Sequence, residues 1–267
     1  MNKKIGILLN LVIASLSLVS FGNTSNDNIY FHPVAEIHVD ELPESIMDLK
    51  FIHSVCKIPI VFRGAAKHWE SMTWTPESLK KKGLREIEEV MKSSDSSERL
   101  GIKLWVTFHG NDTSASSSQL TEIVKDMHYH DTLIRPENPN RMNSYELYLL
   151  AGSGSFRMDR FHAHGSVLLS EFYGERMVFL AEPGWGDGDK DMIKLVKESN
   201  RIAQIASKNP LDPLLDINNG DYSRLQQVIL KPGDILYIPG GWSHKVNYLT
   251  PCIGATQLVY TKKRSYS

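Results

Sequence analysis

The chain has 267 residues, a formal charge of −1, 41% hydrophobic residues and 23% charged residues. This length and composition fit one globular domain with a sizeable hydrophobic core. The near-neutral charge offers none of the basic excess on which nucleic-acid binding depends, so we expect no nucleic-acid partner.

The N-terminus has the pattern of a secretory signal peptide. Two lysines at positions 3 and 4 precede an uncharged, mostly apolar run over residues 5–21. The segment Ser20-Phe21-Gly22 then places small residues at the −3 and −1 positions of a cleavage site. We therefore predict a cleaved leader at residues 1–22 and no stable membrane insertion afterwards. An uncleaved signal anchor is the alternative, although polar residues interrupt the run.

Several elements are predicted in chain order after the leader. An extended arm, a helix, a strand and a capped helix that begins with Thr75-Pro76 come first. Polar loops, a short helix, a strand that enters a barrel and a helical insertion follow. The predicted ranges are 23–40 for the arm, 42–56 for the first helix, 58–62 for the strand, 93–98 and 110–119 for the loops, 119–127 for the short helix, 145–150 for the barrel strand and 184–220 for the insertion, with its helix at 191–206.

Glycosylation and cysteine content bear on the compartment. Asn111 opens an Asn-Asp-Thr acceptor sequence and is a predicted glycosylation site; Asn23 opens a second sequon beside the cleavage site. The chain contains only Cys56 and Cys252. They could form one disulfide in an oxidising compartment, but two buried free thiols are the preferred interpretation.

Three histidines have the spacing of a metal site. His162 and His164 are two residues apart, so on a strand they project to the same face. His244 follows a predicted strand that ends in Pro239-Gly240-Gly241, and a small barrel can bring it beside the other two. Three converging imidazoles suit iron, zinc, copper or nickel, which favours a shared metal over three unrelated histidines. Glu171 is out of phase with the histidine pair on an uninterrupted strand and is not expected to be a ligand.

Two segments carry a resemblance to a known family. The spacing Gly233, Pro239, Gly241, His244 resembles the second signature of the cupin barrel. The Phe-His-Ala-His-Gly run at 161–165, followed by the Ser-Glu and Tyr-Gly-Glu-Arg elements within 170–176, resembles the JmjC (cupin-like) family. An upstream stretch at 59–79 is similar to the N-terminal part of that family. The resemblance extends over most of residues 30–260, and its pattern is nearest to members of the endoplasmic reticulum lumen.

The resemblance implies a fold and a domain arrangement. The fold expected is mainly β with flanking helices, a double-stranded β-helix of the cupin or jelly-roll class, JmjC type. Residues 23–144 would form an N-terminal extension, and residues 145–267 the barrel with its insertion. We expect the protein in the endoplasmic reticulum lumen or secreted.

The same resemblance implies an Fe(II)- and 2-oxoglutarate-dependent oxygenase that hydroxylates a protein side chain. His162, His164 and His244 would hold the metal, although the family usually has an acidic residue where His164 stands. Arg176 occupies the position of the lysine that anchors 2-oxoglutarate; a solvated strand arginine is the alternative. Two other functions stay open. One is a non-catalytic lumenal binding or regulatory protein on a drifted barrel, and the other is a three-histidine dioxygenase that does not use 2-oxoglutarate.

Overall fold

The structure is a computed structural model, and it describes eight stretches of the chain. These are residues 32–39, 58–92, 99–109, 112–114, 118–127, 143–153, 165–183 and 225–259. Several predicted features lie outside the described residues: the leader 1–22, the helix 42–56, Cys56, Asn111, His162, His164 and the insertion 184–220.

The described chain is mostly β-sheet with few helices. The strands are β1 His32–Pro33, β2 Ala35–His38, β3 Ile60–Arg63, β4 Arg99–His109, β5 Asp112–Ser114, β6 Asn143–Gly152, β7 Ser166–Tyr173, β8 Arg176–Ala181, β9 Leu225–Leu230, β10 Ile235–Ile238, β11 Ser243–Tyr248 and β12 Cys252–Val259. The helices are α1 Pro76–Lys81, α2 Glu86–Lys92 and α3 Ser118–Lys125, and a 3-10 helix covers Glu70–Thr73. No helix of the described stretches is long and apolar enough to cross a membrane.

The strands form two sheets. The large sheet has the order β2-β3-β10-β7-β12-β6-β4-β5, and the small sheet has the order β1-β9-β8-β11. Pairing is antiparallel except for β2 with β3 and β1 with β9, which are parallel. Strand β1 thus lies in the small sheet, and β2 to β5 lie in the large sheet, in each case beside strands from later in the chain. The predicted boundary between the N-terminal extension and the barrel, at residue 144/145, falls within β6.

Two apolar clusters stabilise this arrangement. The inner core joins side chains of both sheets, so it lies between them: Val34, Val61, Val167, Leu169, Val178, Leu180, Val228, Leu230, Leu236, Ile238, Trp242, Val246, Tyr248 and Cys252. The outer core joins the opposite face of the large sheet to α1, α2 and α3, with Leu168, Phe172, Tyr237, Leu79, Ile87 and Ile123 among its members. Since successive side chains of a strand face opposite sides, β7 supplies Val167 and Leu169 to the inner core and Leu168 to the outer core.

Local sequence signals account for several elements. Thr75 caps α1: its hydroxyl accepts a bond of 3.1 Å from the Ser78 amide, while the Ser78 hydroxyl accepts one of 2.8 Å from the Thr75 amide. Pro76 occupies the first turn, as predicted. The predicted strands at 58–62 and 145–150 and the predicted helix at 119–127 are confirmed as β3, β6 and α3, each shifted by a few residues. The predicted loop at 110–119 is wrong in part, because it contains β5 and the start of α3.

Candidate metal site

His244 lies on the inner face of the small sheet. It is 3% exposed, and it alternates with Val246 and Tyr248, which both belong to the inner core. Its partner across the β8–β11 pair is Leu180, another inner-core residue. The imidazole therefore points between the sheets, at the end where β11 begins.

The turn before His244 has the geometry that its sequence predicts. Gly241 has φ +87°, a conformation that residues with a Cβ rarely adopt. The Trp242 amide donates to the Pro239 carbonyl over 3.3 Å and reverses the chain. Trp242 itself is 5% exposed and packs in the inner core.

This turn contacts the start of β7. The Gly240 amide donates to the Ser166 hydroxyl over 3.0 Å. A Cβ on Gly240 would lie 3.7 Å from the carbonyl carbon of Gly165, so the two backbones pass close to each other. Gly165 directly follows His164 in the sequence. Gly165, the first described residue after the predicted histidine pair, therefore lies beside the turn that presents His244.

The shared metal site stays a prediction. His162 and His164 lie outside the described residues, so their distances to His244 are not defined. Within the part of the chain that the structure describes, no three His, Cys, Asp or Glu side chains are grouped as metal ligands.

Arg176 lies at the opposite end of the space between the sheets. It pairs with Tyr248 across β8–β11, four residues along β8 from the level of His244. Arg176 is 1% exposed and forms an ion pair with Glu171, which is fully buried. Its Nη2 also donates to the Ser170 carbonyl over 2.6 Å. The alternative of a solvated strand arginine is therefore wrong, and the predicted contact with 2-oxoglutarate stays a prediction.

The ion pair connects the two sheets. Arg176 extends from β8 of the small sheet, and Glu171 from β7 of the large sheet. Gly254 is opposite Glu171 on β12 and leaves room for the guanidinium, since a Cβ there would lie 2.6 Å from Nη2. The missing side chain at position 254 is thus a condition for the contact.

Burial dominates the electrostatics of this cluster. Desolvation raises the pKa of the Glu171 carboxyl, an effect that the positive charge of Arg176 partly offsets. Burial likewise raises the pKa of the Cys252 thiol well above its usual value. Cys252 is a buried free thiol whose Sγ donates to the Glu175 carbonyl over 2.9 Å. The thiol therefore stays protonated and unreactive at neutral pH.

Asp234 supports the neighbouring turn, a role that the sequence reasoning missed. Its carboxylate pairs with Arg63 and accepts bonds from the amides of Gly64 (3.2 Å) and Lys231 (3.0 Å). Its backbone carbonyl accepts from the Glu171 amide over 3.0 Å. An aspartate after Pro-Gly at the start of a strand is a recognisable turn signal, but its arginine partner is 171 residues away in sequence.

One protein-family model matches part of the chain. It is the model of the JmjC domain, and it matches residues 195–265. The matched range includes β9 to β12, and therefore His244 and its turn. A β-rich structure with few helices is consistent with the JmjC and cupin folds. JmjC domains generally bind Fe(II) and 2-oxoglutarate, and the domain suggests an oxygenase-like protein. No curated protein matches the chain.

Proposed function

We propose that this protein is a metal-dependent, JmjC-type oxygenase-like protein, with the metal held by His162, His164 and His244 between two sheets that form a double-stranded β-helix. The contact between Gly240 and Ser166 carries the proposal. It brings the chain that leaves His164 beside the turn that presents His244.

The surroundings of His244 suit a metal ligand. The imidazole is buried, and Leu180 and Val246 of the inner core adjoin it, so bulk water has little access. Neutral imidazole is a good ligand for divalent iron, zinc and copper, and iron is preferred because of the family. Such a metal would supply binding and activation of small ligands at its open positions. With His164 in place of an acidic residue, the site would be one unit more positive than a site with two histidines and one carboxylate.

The cellular compartment and the substrate class are proposed from the sequence pattern. The chain resembles JmjC domain-containing protein 8, a lumenal protein of the endoplasmic reticulum. The signal-peptide pattern at residues 1–22 and the sequon at Asn111 support a secretory route. The substrate class proposed is a protein side chain, and the product is its hydroxylated form.

Metal analysis of the purified full chain tests the site. We expect about one metal ion per wild-type chain and a large loss in His244→Ala, because one of three ligands is removed. His38→Ala is the matched control, since His38 is an exposed histidine of β2. A His244→Ala protein that keeps its metal would contradict the proposal. Iron-dependent succinate formation with a peptide pool would support the oxygenase activity.

One observation favours a second function. Arg176, at the family's 2-oxoglutarate position, contacts Glu171 of the same chain. This contact favours a lumenal binding or regulatory protein that retains the barrel without the cosubstrate. A wild-type protein that contains little metal, and whose unfolding temperature a chelator leaves unchanged, would support this second function.

A further inference from the structure

We propose that Glu171 supplies from within the chain the carboxyl group that Arg176 binds, so that this guanidinium does not hold 2-oxoglutarate. The inference concerns 2-oxoglutarate, the cosubstrate that would bind beside the metal, and it rests on the proposed function for the location of the metal site. It assigns Arg176 and Glu171 to each other instead of to a cosubstrate.

The first support is the set of contacts around the guanidinium. Arg176 contacts the Glu171 carboxyl and donates to the Ser170 carbonyl over 2.6 Å. Both partners belong to β7, and the gap at Gly254 on the neighbouring β12 receives Nη2. Three features of the large sheet therefore hold the guanidinium at one place.

The second support is the position of that place along the barrel. Arg176 is four residues from Leu180, the partner of His244, and four strand residues span about 13 Å. A five-carbon diacid bound at His244 would reach Arg176 only if the arginine leaned along the strand. Leaning would break its contacts with Glu171 and Ser170.

The third support is the balance of buried charge. A buried guanidinium requires an anionic or hydrogen-bonding partner, and Glu171, itself fully buried, provides one. A diacid bound at Arg176 would have to displace the Glu171 carboxyl from the guanidinium. The displaced carboxyl would then stay buried without its polar partner, which is unfavourable whether or not it is ionised.

Carboxylate rescue tests the assignment. In Glu171→Ala the carboxyl is lost and a space opens, whereas Glu171→Gln fills the same space and serves as the matched control. We expect sodium acetate to raise the unfolding temperature of the full-length Glu171→Ala protein in a concentration-dependent way, relative to sodium chloride at equal ionic strength. Wild type and Glu171→Gln should show no such rise. A Glu171→Ala protein that responds equally to the two salts would overturn the inference.

Titration with 2-oxoglutarate provides a second measurement that does not depend on the folding of Glu171→Ala. Calorimetry on the metal-loaded wild type and Arg176→Gln proteins should give affinities that differ by less than about tenfold, or no binding to either. A loss of about tenfold or more in Arg176→Gln, which removes the positive charge, would overturn the inference and leave the metal site intact. A wild type without metal would contradict the proposed function instead, and the acetate series would still decide the role of Glu171.

Discussion

Gly254→Ala should destabilise the protein because it places a methyl group where the Arg176 guanidinium lies. The new Cβ would be 2.6 Å from Nη2 and 2.5 Å from the Ser170 carbonyl oxygen. The carbonyl belongs to the backbone of β7, which is paired on both sides and moves little. The guanidinium must therefore move, and it then loses the contacts with Glu171 and Ser170.

The magnitude follows from these two effects. Inserting one methyl group into a packed interior costs about 1–3 kcal/mol. Disrupting a buried ion pair by displacing one partner costs about 3–5 kcal/mol when it is complete, and displacement of Arg176 is incomplete. We expect the free energy of unfolding of Gly254→Ala to fall by about 3–5 kcal/mol.

Urea denaturation followed by circular dichroism measures this change. Gly101→Ala is the matched control: Gly101 is also a strand glycine, but the one described atom near its added Cβ would be Leu150 Cδ2, at 3.8 Å. That control should stay within about 1 kcal/mol of wild type, since alanine at an unstrained position restricts the unfolded chain. A Gly254→Ala protein as stable as Gly101→Ala would refute the close contact between Gly254 and Arg176.

Three further predictions address the two ends of the space between the sheets. Ser166→Ala removes the acceptor for the Gly240 amide and should weaken metal binding about 10-fold to 100-fold, as measured by competition with a chelator. Thr250→Ala removes an equivalent acceptor at the far end, 2.8 Å from the Glu175 amide, and should leave metal binding unchanged. Because the folded pKa of Glu171 is raised above 4.5, its stabilising contribution is complete below about pH 4.5 and is lost as the pH rises through the folded pKa. The unfolding free energy of wild type minus that of Glu171→Gln should therefore fall with rising pH, by at most about 1.4 kcal/mol per pH unit; a flat difference would contradict the raised pKa. Asp234→Ala should cost about 2–3 kcal/mol in urea denaturation through its lost bonds to the turn and to its arginine, and an unchanged midpoint would show that these bonds contribute nothing.

Short-range signals predicted elements whose causes are local. The Thr75-Pro76 pair predicted the start of α1, because a hydroxyl cap and a proline both act within one turn. The apolar run before Pro239 predicted a strand, and β10 is that strand, buried at all four positions. The glycine at position 241 predicted the reversal that leads to His244.

The alternation of side chains between the two faces of a strand can be read from the sequence only within one continuous strand. β7 begins at Ser166, after the bend at Gly165, so its alternation cannot be extended back to His162 and His164. The prediction that Glu171 is out of phase with the histidine pair therefore stays a prediction, and the partner of Glu171 comes from the other sheet. Spacing in the sequence carries no information about such a partner.

The sequence by itself determined the approximate limits of β3, β6 and α3 and the capped start of α1, since apolar periodicity, caps and turn residues act over a few residues. The mainly β class was predicted from the family resemblance. The sequence also placed His244 after a tight turn. Only the tertiary structure decided that Arg176 is buried against Glu171 and that Ser166 meets Gly240. These contacts join strands distant in sequence, and they depend on how the two sheets pack and on small details such as the missing side chain of Gly254.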